Sequence, residues 1–167
     1  LTSIEADINM KDSKGNTLLH FAMEKMDRET VLLLLSKGAD INARNDQGET
    51  PLFLSLKAKN LKTASDILFI KSQILNGELK TGDESTDKLV DNCNTQKMLL
   101  NMSVKTPDKN GTTPLAVLVE NNQNLSPPEL NKIRECGKYL IELGSDVNSR
   151  DDYGRTPLHI SAGSNID

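Results

Sequence analysis

Apolar residues along the chain fall into short clusters that alternate with polar segments rich in Asp, Asn and Gly. The segment LLHFA at 18–22, preceded by the capping residue Thr17, predicts a short helix. The unbroken run VLLLL at 31–35 predicts a second helix that is buried on nearly all sides. Gly38 is then expected to end this helix in a left-handed conformation. The pattern therefore predicts pairs of short helices that are separated by polar turns.

The same pattern recurs with a nearly regular period. Gly15 and Gly48 lie 33 residues apart, as do Asp7 and Asp40. The repeated words read KGNTLLHFA, QGETPLFLS, NGTTPLAVL and YGRTPLHIS. A fixed period of this size is typical of a solenoid built from one supersecondary unit. It shifts the expected function from chemistry in a pocket to recognition on an extended face.

These words, together with GADIN at 38–42, resemble ankyrin repeats. The resemblance implies an all-α fold, an ankyrin-repeat α-solenoid of stacked helix-turn-helix units with β-turn or hairpin tips. It also implies tight turns and helix caps at equivalent places in each unit. The expected turn glycines are Gly15, Gly48, Gly111 and Gly154, and the expected caps are Thr17, Thr50, Thr113 and Thr156.

We expect one ankyrin-repeat domain over residues 1–167. Its repeats are predicted at about 12–44, 45–70, 108–150 and 151–167, the last of them partial, and 1–11 is expected to be the tail of a preceding repeat. Because the chain begins and ends inside a repeat, we also expect it to be part of a larger polypeptide.

An insertion is predicted inside the array. Gly111 lies 63 residues after Gly48, so about 30 residues exceed the period, and we place them at about 71–103. The polar stretch 76–87 is expected to be a mobile surface loop. Residues 88–102 are expected to form a short helix that packs back on the array.

Composition and motif content reduce the number of function classes to which the chain could belong. The net charge of −4 gives no reason to expect direct binding of nucleic acid. No apolar run is long enough for a membrane span. Two cysteines without CxxC spacing indicate an intracellular protein, cytoplasmic or nuclear. No catalytic, metal or cofactor motif is present, and His20 and His159 occupy equivalent repeat positions that favour a structural role. We therefore expect a non-enzymatic protein.

The resemblance implies that another protein docks on the concave surface, which turn tips and first helices form. The expected contact residues are Lys14, Asn16, Lys25, Arg44, Gln47, Glu49, Lys109, Thr112, Tyr153 and Arg155. Tyr153 and Arg155 stand out because Tyr and Arg are enriched among interface hot spots.

The role of that binding is expected to be regulatory or scaffolding, and two alternatives stay open. One is an inhibitor or cofactor of a transcription factor, similar to the kappa-B inhibitors or to fungal cell-cycle regulators. The other is the regulatory domain of a larger enzyme or ion channel.

Overall fold

A computed structural model of the chain describes residues 6–78, 81–120 and 125–163. Over these residues the secondary structure is helical, without strands, so the all-α prediction is confirmed. The helices are α1 (Leu18–Lys25), α2 (Arg28–Ser36), α3 (Pro51–Lys57), α4 (Leu61–Asn76), α5 (Glu84–Val90), α6 (Cys93–Asn101), α7 (Pro114–Glu120), α8 (Pro127–Glu142) and α9 (Pro157–Ser161).

Local sequence signals explain where the helices begin. The Asp27 carboxylate accepts a hydrogen bond from the Thr30 amide at 2.9 Å and caps α2. Thr50 caps α3 in the same way, and Pro51 follows at a position where its missing amide costs nothing. Ser126 closes a capping box with the side chain of Glu129, which begins α8.

The first helices of successive repeats stack on one another. The helix α1 packs on α3, α3 on α7 and α7 on α9, while α8 packs along α4. In the first three repeats the leucine two residues after the cap fills the interface, since Leu19, Leu52 and Leu115 are all buried, whereas 76% of the equivalent Leu158 on α9 is exposed. Burying one such side chain stabilises the array by about 1.5–3 kcal/mol. The stack of first helices therefore forms the spine of the fold.

The run at 31–35 is less buried than its sequence suggests. Val31, Leu32 and Leu35 are completely buried, but 48% of Leu33 is exposed. In a helix, five consecutive residues point around more than a full turn, so some must face away from the neighbouring elements. The prediction of burial on nearly all sides is therefore wrong for Leu33.

The inserted segment is a pair of helices, α5 and α6, that joins the core. Both pack against α2, and α6 also packs against α4. Val90 and Leu99 are completely buried in these contacts. The buried Lys71 of α4 donates from Nζ to the backbone oxygens of Leu99 at 2.7 Å and Leu100 at 2.8 Å, and so caps the end of α6. Residues 88–102 therefore pack back on the array as expected, but they include the end of α5 and the whole of α6, so the prediction of one short helix is wrong.

The loop expected at 76–87 is shorter than the sequence suggests. Residue 76 still belongs to α4, and residues 84–87 form the first turn of α5 because Asp83 caps that helix through the Ser85 amide. Residues 79–80 lie outside the described residues. So do 1–5, 121–124 and 164–167, which include parts of the expected first tail and of the last repeat.

The chain returns to the repeat register directly after α6. Asn9 accepts from the Asp40 amide at 2.7 Å and donates to the Gly38 oxygen at 3.2 Å. Asn42 makes the equivalent pair of bonds, with the Ser103 amide and the Asn101 oxygen, each at 2.8 Å. Residues 101–103 therefore pair with Asn42 in the same way as residues 38–40 pair with Asn9.

Candidate protein-binding face

Each repeat opens with a turn, here called a finger, that is built on one Asp or Asn side chain. In every finger, that side chain's Oδ1 accepts the backbone amides two and four residues further on, at 2.8–3.0 Å. The organising residues are Asp12, Asn45, Asp108 and Asp151. This signal is visible in the sequence as the D/N-x-x-G word, but its role in holding the turn closed emerges only from the structure.

The fingers are joined into one row. The Asp46 amide donates to the Lys14 oxygen at 3.0 Å, the Lys109 amide to the Gln47 oxygen at 2.9 Å, and the Asp152 amide to the Asn110 oxygen at 3.0 Å. Each finger also closes on itself through a hairpin-like bond, such as that from the Asp12 amide to the Asn16 oxygen at 2.9 Å. The expected hairpin tips are therefore present.

The close spacing of the fingers explains the turn glycines. Gly15 adopts φ +76°, and a Cβ atom there would lie 2.7 Å from Asp46 Oδ1 in the next finger. Both the positive φ and the lack of space exclude a side chain. Gly15 thus sets the distance between the first two fingers.

The histidine of the first repeat ties α1 to the second finger. The Thr17 amide donates to His20 Nδ1 at 3.1 Å, so the ring carries its proton on Nε2, which donates to the Glu49 oxygen at 3.1 Å. Burial lowers the pKa of His20 below its usual value of 6.5. The next two repeats have Phe53 and Ala116 in this position, and both are buried without an equivalent bond.

Several of the expected contact residues present their side chains outward. Lys14, Gln47 and Lys109 are exposed at the tips of consecutive fingers. On the last finger, 71% of Tyr153 is exposed, and the Arg155 guanidinium lies 5.1 Å from the centre of its ring. Arg155 is itself held by Asp151, with 2.8 Å between Nε and Oδ2. The row therefore carries exposed cationic side chains and one aromatic-cation pair held in place by Asp151.

Other expected contact residues also make contacts within the array. Arg44 donates to the Gly48 oxygen at 3.0 Å and to the Pro107 oxygen at 2.8 Å, which links two fingers. Asn16 accepts from the Asn45 side chain at 3.0 Å, and Thr112 is half-buried in its own finger. Lys25 is exposed at the end of α1, 3.9 Å from the carboxylate of Glu24. These residues border the face and also stabilise it.

Glu49 requires a correction, because only 4% of it is exposed. Its carboxylate accepts from Lys57 Nζ at 2.6 Å and from the Asn45 side chain at 2.8 Å. The side chain turns inward because it accepts hydrogen bonds both from its own finger and from α3. Glu49 therefore supports the finger and offers no free carboxylate to a partner.

A cleft opens between the last two fingers and the ends of α3 and α7. Its volume is about 240 Å³. Phe53 and Val117 form its apolar floor, and it is bordered by charged and polar side chains, namely Lys57, Asp108, Asn110, Glu120 and Arg155, with Tyr153 and Thr112. Phe53, Val117 and Asp108 were not expected at a contact surface. The repeat words alone give no signal for the cleft, since it depends on how three repeats meet.

Neither cysteine lies in this face. Cys136 is buried on α8, and that burial raises the pKa of its thiol to about 12. Cys93 is exposed at the start of α6. Among the described residues, no group of three His, Cys, Asp or Glu side chains could hold a metal ion, and no helix there could cross a membrane.

Comparison with known families agrees with this geometry. A model described as ankyrin repeats in three copies matches residues 1–76, and one described as ankyrin repeats in many copies matches residues 135–165. The chain belongs to the ankyrin-repeat family. Ankyrin repeats are generally non-enzymatic and bind other proteins, so this ankyrin array is a protein–protein interaction module.

Similar proteins come from distant organisms. An ankyrin repeat protein of Acanthamoeba polyphaga mimivirus is 29% identical over 161 residues, which cover 96% of this chain and 19% of the viral protein. The NAD-dependent deacetylase sir2B of Dictyostelium discoideum is 29% identical over 163 residues, 95% of this chain and 20% of that protein. Mouse inversin is 27% identical over 164 residues, 93% of this chain and 15% of its own length. The array thus spans about a fifth of these relatives or less.

Proposed function

We propose that this ankyrin array binds a partner protein on the concave face formed by its fingers and first helices, in a regulatory or scaffolding role and without catalysing a reaction. The observation that carries the proposal is the row of fingers, joined by backbone hydrogen bonds and tipped by Lys14, Gln47, Lys109 and Tyr153. Its expected contacts remain those named from the sequence, apart from the buried Glu49.

The rigidity of this face supports the proposal. Each finger is closed by its Asp or Asn side chain and bonded to its neighbour, so binding would order few backbone groups. Preorganisation of this kind preserves affinity because little conformational entropy remains to be lost. Tyr153, flanked by Arg155, has the composition of an interface hot spot.

We propose two forms that the regulatory role of the array can take. A regulator of a transcription factor fits an array that binds protein, and the net charge of −4 argues against direct contact with nucleic acid in that setting. The regulatory domain of a larger polypeptide is favoured by the relatives, because the matched region is a fifth or less of each, and one of them is named as a deacetylase. We place the activity of the array inside the cell, in the cytoplasm or the nucleus.

The test is to capture partners with the array, cross-link them, and titrate the recovered partner against variants. Tyr153→Ala should weaken binding several-fold, by more than about 1 kcal/mol. Lys138→Ala is the matched control, since Lys138 is an exposed residue of α8, away from the fingers. Equal loss of affinity in both variants, or loss only in the control, would overturn the proposal.

A further inference from the structure

The cleft between the last two fingers and α3 and α7 has an unequal distribution of charge. Both of its cations are already neutralised by buried carboxylates. Lys57 Nζ lies 2.6 Å from Glu49, and Arg155 Nε lies 2.8 Å from Asp151. The charges of both cations are therefore largely offset within the protein, so Lys57 and Arg155 add little net positive charge to the cleft.

Its two remaining carboxylates have no such partner. Glu120 is exposed at the end of α7, and among the described residues no cation lies within ion-pair distance of it. Asp108 uses Oδ1 to accept the amides of Asn110 and Thr112, and it too forms no ion pair within the described part of the chain. The cleft thus carries two uncompensated negative charges at its border.

We propose that this cleft receives an arginine or lysine side chain from a basic segment of the partner protein. The inference rests on the proposed binding function and specifies the chemistry of the ligand. The cationic end would pair with Glu120 at the border, and the aliphatic stem would lie against the exposed ring of Tyr153.

An acidic partner side chain fits the same cleft poorly. It would lie beside Glu120 and Asp108, whose negative charges repel it. Lys57 and Arg155 offer little compensating attraction, because Glu49 and Asp151 already offset their charges. A purely apolar side chain would gain little, because Phe53 and Val117 are already almost completely buried, and it would desolvate Glu120 without compensation. A basic side chain meets neither obstacle.

The experiment is a selection of random linear peptides displayed on phage against the whole array, followed by titration of synthetic peptides. We expect the selected sequences to share an Arg or Lys. Replacing that residue of the peptide with Gln should weaken binding to the unchanged array by at least about fivefold. The same replacement should have much less effect on binding to the Glu120→Gln variant. Glu29→Gln, on α2, is the matched control and should leave both affinities unchanged.

The outcomes separate this inference from the proposed function. Peptides that depend on Tyr153 but share an acidic or apolar residue would overturn the inference and leave concave-face binding intact. Basic peptides that are indifferent to Glu120→Gln would also overturn it. Peptides that are indifferent to both Tyr153→Ala and Glu120→Gln would count against concave-face binding as well. A selection without enrichment above the library background would contradict the inference.

Discussion

His20 Nε2 lies 3.1 Å from the backbone oxygen of Glu49, so a side chain of the first repeat supports the base of the second finger. The side chain of the same Glu49 accepts from Lys57 on α3. One residue thus receives bonds from the first helices of two consecutive repeats. The position of the second finger within the binding face depends on this junction.

The junction should make stability depend on pH. The folded state lowers the pKa of His20 below 6.5, chiefly through burial, so the unfolded chain binds this proton more readily. The stabilising contribution is complete above about pH 6.5 and is lost as the pH falls toward the lower folded-state value. Urea unfolding followed by circular dichroism between about pH 7.5 and 5.5 should show this decline.

The two histidines of the chain provide the control for that measurement. In His20→Gln, the free energy of unfolding should fall less as the pH is lowered. In His159→Gln, the fall should remain, because His159 lies on α9 and is only partly buried. If the free energy of unfolding falls equally with pH in the unchanged array and in His20→Gln, the pH dependence does not come from His20.

Neighbouring leucines of α2 should differ in their effect on stability. Leu32 is completely buried, so Leu32→Ala should lower the free energy of unfolding by roughly 2–5 kcal/mol, through lost burial and a residual cavity. Leu33 is about half exposed, so Leu33→Ala should cost at most about 1 kcal/mol. Chemical denaturation of both variants measures the difference, and a larger loss for Leu33 would show that the orientation of α2 is wrong.

Lys71 should control the attachment of the inserted helices. Its ammonium group caps α6, although burial lowers the pKa of this lysine. Lys71→Met leaves the Leu99 and Leu100 oxygens without this donor, at a cost of roughly 1–3 kcal/mol. Amide hydrogen exchange should accelerate in α5 and α6 while α1 and α3 stay protected. Lys97→Met, at an exposed position of α6, is the control and should leave exchange unchanged. If exchange accelerates in neither variant, Lys71 does not stabilise the end of α6.

The regular parts of the fold follow from local signals in the sequence. The D/N-x-x-G words, the Thr-Pro starts and the leucines after them specify fingers and first helices because each signal acts within a few residues. The inward turn of Glu49 and the cleft over Phe53 depend on side chains from neighbouring repeats, so one repeat word cannot reveal them. The insertion lacked any repeat pattern, and its polar first half concealed that Asp83 begins a helix whose last residue, Val90, is buried.

The most direct test of concave-face recognition is the two-dimensional ¹H–¹⁵N spectrum of the array, recorded with and without the captured partner or a selected peptide. The perturbed amides should cluster in the fingers at 12–16, 45–49, 108–112 and 151–155 and at the ends of α3 and α7. Amides of α2 and α8 should change little, and Tyr153→Ala should reduce the perturbations at a given ligand concentration. Perturbations confined to α2, α5, α6 or α8, with the fingers unchanged, would show that the partner does not bind the concave face.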